Sequence, residues 1–138
     1  MILSSHQQFV PHYISGRKQH SFRQGNRWRK GMSIQFYTGA YNKTRTKFMD
    51  DGVCTDALEV EIVNHPCSII MRIDGCILHK RDLIHIAHMD GFDSYKEFQE
   101  YFFPKNSHGV WKGQLVHWTD FRYSYQYFEE LHANTEAS

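Results

Sequence analysis

Three stretches of the chain alternate apolar and polar residues, and each alternation predicts a strand with one buried face. Met32, Ile34 and Phe36 face one way, with Ser33, Gln35 and Tyr37 between them. Leu58, Val60 and Ile62 alternate with Glu59 and Glu61, and Ile69, Met71 and Ile73 repeat the pattern. Asp74-Gly75 then reads as a two-residue hairpin turn, with a return strand starting at Ile77-Leu78. Its register would pair Ile73 with Cys76. Helical spacing follows. Lys80 to Met89 places Leu83, Ile84 and Ala87 on one stripe, and Gly91 stops it. Ser94-x-x-Glu97 is a capping box that opens a second helix. Tyr95, Phe98, Tyr101 and Phe102 line its buried face, and Pro104 ends it.

The remaining segments carry weaker signals. Residues 1–7 read as a loose start. Phe9 to Ser15 suits a short helix with Pro11 in its first turn, stopped by Gly16. Gln19 to Arg23 is a short strand. Gly25, Asn26 and Gly31 bracket a basic loop that holds Trp28. Residues 39–52 are rich in Gly, Asn and Thr, which predicts a long loop or an irregular hairpin. Asn64 to Pro66 is a turn, and Leu115 to Trp118 is a late strand. The Tyr-rich stretch after Phe121 forms a helix through Leu131, and 134–138 are expected to be disordered. Several short strands with two or three helices predict an α+β domain, as a small barrel or strongly bent sheet. The 138 residues suit one domain, with a core over about 9–120 and an extension over 121–138.

Charge changes the picture more than composition does. The net charge is only +1, but no Asp or Glu occurs before Asp50. That opening third holds nine of the 16 basic residues, so it carries +9 against −8 for the rest. Phe22, Trp28, Tyr37 and Tyr41 are interleaved with those cations, which include Lys43. Cations hold phosphate, and an aromatic face accepts an unstacked base at roughly 1–3 kcal/mol. The combination points to single-stranded RNA or a nucleotide rather than duplex DNA. The plain alternative is that the basic third neutralises the acidic remainder within the fold. There is no apolar run of transmembrane length, and MILSSHQQFV lacks the succession of a signal peptide. Cys54, Cys67 and Cys76 form no CxxC, so they read as free thiols and small core residues of a cytoplasmic protein.

Several spaced pieces resemble one family. Gly16-Arg17-Lys18-Gln19-His20-Ser21-Phe22-Arg23 is similar to the G-x-K-x-x-T/S-x-R signature of ASCH domains. Arg27-Trp28-x-x-Gly31 leads into a strand ending Phe36-Tyr37-Thr38-Gly39. Ala87-His88-Met89-Asp90-Gly91-Phe92 precedes Ser94-x-x-x-Phe98, and Val116-His117-Trp118-Thr119 comes late. In this order they span most of the chain. The resemblance implies a PUA-like β-barrel of about five to six strands, with a cleft lined by the first signature. It also implies RNA binding in bacterial or phage proteins, with some relatives acting as acetylcytidine amidohydrolases or ribonucleases. The amidohydrolase set of Lys, Thr and a distant Glu falls here, by position, on Lys18, Ser21 and Asp90. Ser21 keeps the hydroxyl, and Asp90 shortens the carboxylate reach by one methylene.

Those residues have a chemistry of their own. Ser21 and Arg23 share a strand face, opposite His20 and Phe22. Ser21 could attack a carbonyl with Lys18 as base, and Arg23 could hold a phosphate or an oxyanion. Asp90, at a helix end where it opposes the macrodipole, needs a partner such as Lys18. The same residues serve simple ligand contact, with Arg17, His20, Arg27, Trp28, Tyr37 and Arg45 as further binding candidates. Of His117 and Trp118, one should face inward, and tryptophan is the commoner buried residue. His85-x-x-His88, His65-x-Cys67 and Cys76-x-x-His79 do not match a standard zinc spacing, so neither metal nor cofactor is expected. Three functions compete: RNA or nucleotide binding, hydrolysis of RNA or an acylated cytidine, and a protein adaptor of a bacterial or phage system.

Overall fold

The computed structural model describes residues 1–39, 45–65 and 68–137, with backbone alone for 134–137. It is an α+β arrangement with two sheets among the described residues. The first sheet has the order β1-β3-β4, from β1 (Ile2–Ser5), β3 (Ser33–Thr38) and β4 (Thr46–Val53). The second is antiparallel, in the order β2-β8-β5-β6-β7. It comprises β2 (His20–Gln24), β5 (Asp56–His65), β6 (Ser68–Ile73), β7 (Cys76–Leu78) and β8 (Gly109–His117). Among the described residues the strands therefore form two sheets and not one closed small barrel. Cys54 and Thr55 join the sheets: Cys54 N–H donates to Met32 O at 2.7 Å, and Thr55 N–H to His117 O at 2.8 Å.

The start of the chain is not loose. β1 runs parallel to β3, with Leu3 beside Phe36, because Leu3 has a core slot at 1% exposure. The expected β6–β7 hairpin is present, with Ile73 opposite Cys76 and positive φ at Asp74 and Gly75. Residues 46–53 form a strand whose register against β3 shifts twice, an irregular hairpin. Tyr41 and Lys43, like Cys67 and part of the 64–66 turn, lie outside the described residues.

Helices α1 (Val10–Ile14), α2 (Lys80–Met89), α3 (Tyr95–Phe102) and α4 (Tyr125–Ala137) pack on these sheets. A 3₁₀ turn at Gln7–Phe9 leads into α1. Ser94 caps α3 by accepting from Glu97 N–H at 3.1 Å. On α2 the buried stripe is Leu83, Ile86 and Ala87, while Ile84 is exposed. On α3 Phe98 is wholly buried, but Tyr101 is half exposed. α4 continues past Leu131 to Ala137, so the expected disordered tail is helical over most of its length. No helix among the described residues is long and apolar enough to cross a membrane. Of the described cysteines, Cys54 is in the core but Cys76 is exposed.

An aromatic cluster of Phe22, Phe92, Phe98, Phe102 and Trp111 fills the space under α3. Trp118 stacks on Tyr13 at 5.4 Å and meets Phe36 edge-on. His117, not Trp118, is the wholly buried member of that pair. Gly113 lets β2 lie close against β8. A Cβ there would sit 2.2 Å from the Arg23 carbonyl and 2.5 Å from the Trp111 ring, so a side chain would push β2 away.

Candidate functional site

Lys18 enters the site from the turn before β2, its N–H bonded to His12 O at 2.9 Å. Its side chain is 5% exposed and ion-pairs with Asp90 Oδ1. The ammonium also donates to the Asp90 main-chain oxygen at 2.8 Å. Rings of Phe9 and Tyr13 lie 5.4 and 5.5 Å from it, within cation–π range. Two of its three donors are thus committed to one residue.

Asp90 is the C-cap of α2, where a carboxylate opposes the helix dipole. Lys18 removes that conflict by placing a cation on both the carboxylate and the terminal carbonyl. Burial works against ionisation of Asp90. The Lys18 charge and then the nearby His20 ring outweigh it and hold the carboxyl below its ordinary range. Gly91 then ends the helix at φ 100°, with Phe9 and His12 atoms 3.0 and 3.1 Å from where a Cβ would be. Gly91→Ala should therefore cost at least about 1–2 kcal/mol, from the left-handed backbone alone, measured as a lower urea midpoint.

His20 approaches the same carboxylate. Its Nδ1 lies 3.3 Å from Asp90 Oδ1 and its Nε2 lies 2.5 Å from the Tyr123 hydroxyl. Burial lowers the His20 pKa against the pull of Asp90, so the ring is neutral at physiological pH. Nδ1 makes no hydrogen bond in this orientation, but the carboxylate charge beside it favours a proton there, so that Nε2 accepts from Tyr123. Burial, and then the Asp90 charge, push the Tyr123 phenol well above its usual range and keep it a donor.

β2 presents Ser21 and Arg23 on one face, as alternation requires. Arg23 Nε donates to Ser21 Oγ at 2.9 Å, Nη1 to Ser4 O at 2.6 Å and Nη2 to Ser5 Oγ at 3.0 Å. Ser5 Oγ in turn meets the Tyr13 hydroxyl at 2.5 Å. These bonds fix the guanidinium and leave two of its five donors uncommitted among the described residues.

Lys18, Ser21, Arg23 and Asp90 all line one cavity of about 550 Å³. Its walls include Ser4, Ser5, Gln7, Phe9, Tyr13, Phe92 and Tyr101. Among lining residues the Lys, Arg, Asp and Glu side chains are Lys18, Arg23 and Asp90, a balance of +1. The volume lies within the range of about 300–1,000 Å³ typical of small-ligand sites.

Other candidates lie elsewhere. Trp28 does not offer a stacking face: it is 4% exposed, its backbone held on both sides by Gln114 at 3.0 Å. Arg17 is a strap across the end of α2, donating to His88 O at 2.8 Å and Phe92 O at 3.2 Å. His20 is wholly buried and does not line the cavity, so it does not touch a ligand there. Arg45 lies 5.8 Å from the Tyr37 ring, and neither lines the cavity. Arg27 is exposed in the loop after β2 and is also outside the lining. Sequence reasoning missed Ser4, Ser5, Phe9, Tyr13 and Tyr101. The excess of aromatics was the available signal, but it does not separate walls from core.

His117 is buried beside His20, with ring centroids 5.6 Å apart. Burial, the neighbouring His20 and Arg122 push its pKa down to about 3.

Comparison of the chain with protein-family models, curated proteins and solved structures finds no match.

Proposed function

We propose that this cavity binds a nucleotide, either free or as an unstacked position of single-stranded RNA. The observation that carries the reading is the convergence of Lys18, Arg23, Ser21 and Asp90 on one hollow walled by Phe9, Tyr13, Phe92 and Tyr101. Each part has a use. The uncommitted Arg23 donors suit a phosphate oxygen, and the aromatic walls suit a base. The positive balance of the lining suits an anion. Arg27 and Lys30, exposed on the loop after β2, extend this toward a flanking strand. The segment Gly16–Arg23 supplies three of the four polar groups and resembles the ASCH signature. On that resemblance the two sheets would be an opened form of a PUA-like barrel.

A hydrolase is the second reading, because a buried Lys–Asp pair and a hydroxyl share the cavity. Nucleophilic attack by Ser21 needs a base within about 2.6–3.2 Å. The bonds described for Ser21 Oγ and Lys18 Nζ run instead to Arg23 and Asp90. Binding is therefore the better-supported function.

Calorimetry should detect saturable binding of a nucleoside monophosphate or a short single-stranded RNA, weakening as salt rises. Arg23→Ala should weaken it about tenfold or more, the loss of hydrogen bonds from a charged donor. Absence of saturable binding to either class would overturn the reading. Product from acetylcytidine or RNA, lost on Lys18→Ala with folding intact, would favour the second.

A further inference from the structure

We infer that His20 and Tyr123 are positioning residues: Tyr123, in the C-terminal segment, holds the buried His20 ring against the Asp90 carboxylate and, through it, beside the Lys18 ammonium. What they position matters through the binding function proposed above, but the line from Tyr123 to Asp90 stands on separate observations. His20 is 0% exposed and lies outside the cavity lining, and Tyr123 is outside it as well. Neither can act on a ligand there by contact. The ring nevertheless bridges two polar groups: Nε2 shares a hydrogen bond with the Tyr123 hydroxyl, and Nδ1, without a hydrogen-bond partner among the described residues, lies 3.3 Å from Asp90 Oδ1.

The far end of the line is anchored. The Tyr123 ring stacks on Phe128 of α4 at 5.6 Å, and Phe128 is 6% exposed. Phe121 and Tyr127 meet the Tyr123 ring edge-on at 5.0 and 5.9 Å. The segment before it is tied down by Thr55 Oγ1 and Arg122 Nη1, which donate to Thr119 O at 2.5 and 2.7 Å. A rigid hydroxyl that donates to Nε2 leaves the proton of the neutral ring on Nδ1, the nitrogen beside Asp90.

The need is physical. Asp90 follows the last residue of α2, so its carboxylate is repelled by the helix end and free to rotate away. Lys18 alone has a long, flexible stem that would follow it. A buried ring whose Nδ1 sits 3.3 Å from Oδ1 narrows that freedom. A polar histidine in a buried strand position is otherwise a poor choice against leucine.

The test uses His20→Leu, His20→Asn and Tyr123→Phe in the full chain. Asparagine places an amide donor where Nδ1 was, and leucine fills the space without one. A merely structural role favours leucine or makes the two equal. Two readouts separate the roles: the Asp90 carboxyl titration followed by carbon-13 NMR, and affinity for cytidine 5′-monophosphate. His20→Leu should move the Asp90 titration upward and weaken the nucleotide by about tenfold. His20→Asn should stay within about threefold of the parent protein, the residual effect of an imperfect amide mimic. Tyr123→Phe, which keeps the ring, should fall between them. Equal Asp90 titrations in all variants would overturn the positioning line. The predicted Asp90 ordering without any binding of the nucleotide by the parent protein would overturn the functional reading and leave the line standing.

Discussion

Replacing Lys18 by methionine is expected to lower stability by about 3–5 kcal/mol at neutral pH, because it strands a buried charge. Asp90 is 4% exposed, and its ionised form is held by Lys18 and His20. Methionine keeps most of the volume of the stem and its contacts with Phe9 and Tyr13, so the loss reports the charge. Removing the partner as well should reverse most of it. The double variant Lys18→Met/Asp90→Asn buries neither charge and keeps a polar side chain beside His20. Buried ion pairs replaced as a unit are often near neutral in stability. Urea unfolding of the single and double variants checks this directly. A double variant as stable as the parent, yet unable to bind a nucleotide, would mean that the pair is kept for its ligand. A single variant with unchanged stability would contradict the buried geometry.

The second large effect is acid destabilisation set by buried histidines. His117 has a folded-state pKa of about 3 against an ordinary 6.5, and His20 is also lowered. Between those values the unfolded chain binds the proton and the folded protein does not. Stability is therefore full above about pH 6.5 and falls as pH drops toward 3. The slope for one such histidine is up to about 1.4 kcal/mol per pH unit. Over that window His117 alone is worth several kcal/mol. Asp90, with its pKa lowered, contributes in the same direction at the acid end, below about pH 4. His117→Gln keeps a polar side chain that does not titrate, so its urea midpoint should vary less between pH 7 and pH 4. An identical pH slope in parent and variant would exclude His117 as the cause.

The sequence made the local parts of this site legible and left its enclosure hidden. Alternation exposed β5, β6 and the hairpin because each of those strands buries one face at a time. β8 was found only at its end. It lies between β2 and β5, and Gly113 to His117 are buried consecutively, which erases the period of two. β1 is four residues long with one core side chain, too short to signal. Lys18, Ser21, Arg23 and Asp90 were accessible because strand parity and a helix end fix where such residues point. Trp28 and Tyr101 were the rings that local pattern could not place: the basic loop concealed a buried ring, and helical spacing suggested burial for a ring that lines the cavity. Both outcomes depend on tertiary neighbours, Gln114 for one and the open side of the cavity for the other. The His20–Tyr123 contact spans 103 positions and had no local trace.

Titrating isotope-labelled protein with cytidine 5′-monophosphate and following backbone amide shifts addresses the binding cavity most directly. The account predicts saturable shifts concentrated at Ser5, Ser21, Arg23, Asp90 and Tyr101. Shifts that never saturate, or that gather instead around Ile77, Tyr125 and Phe128 in a separate hollow, would contradict it.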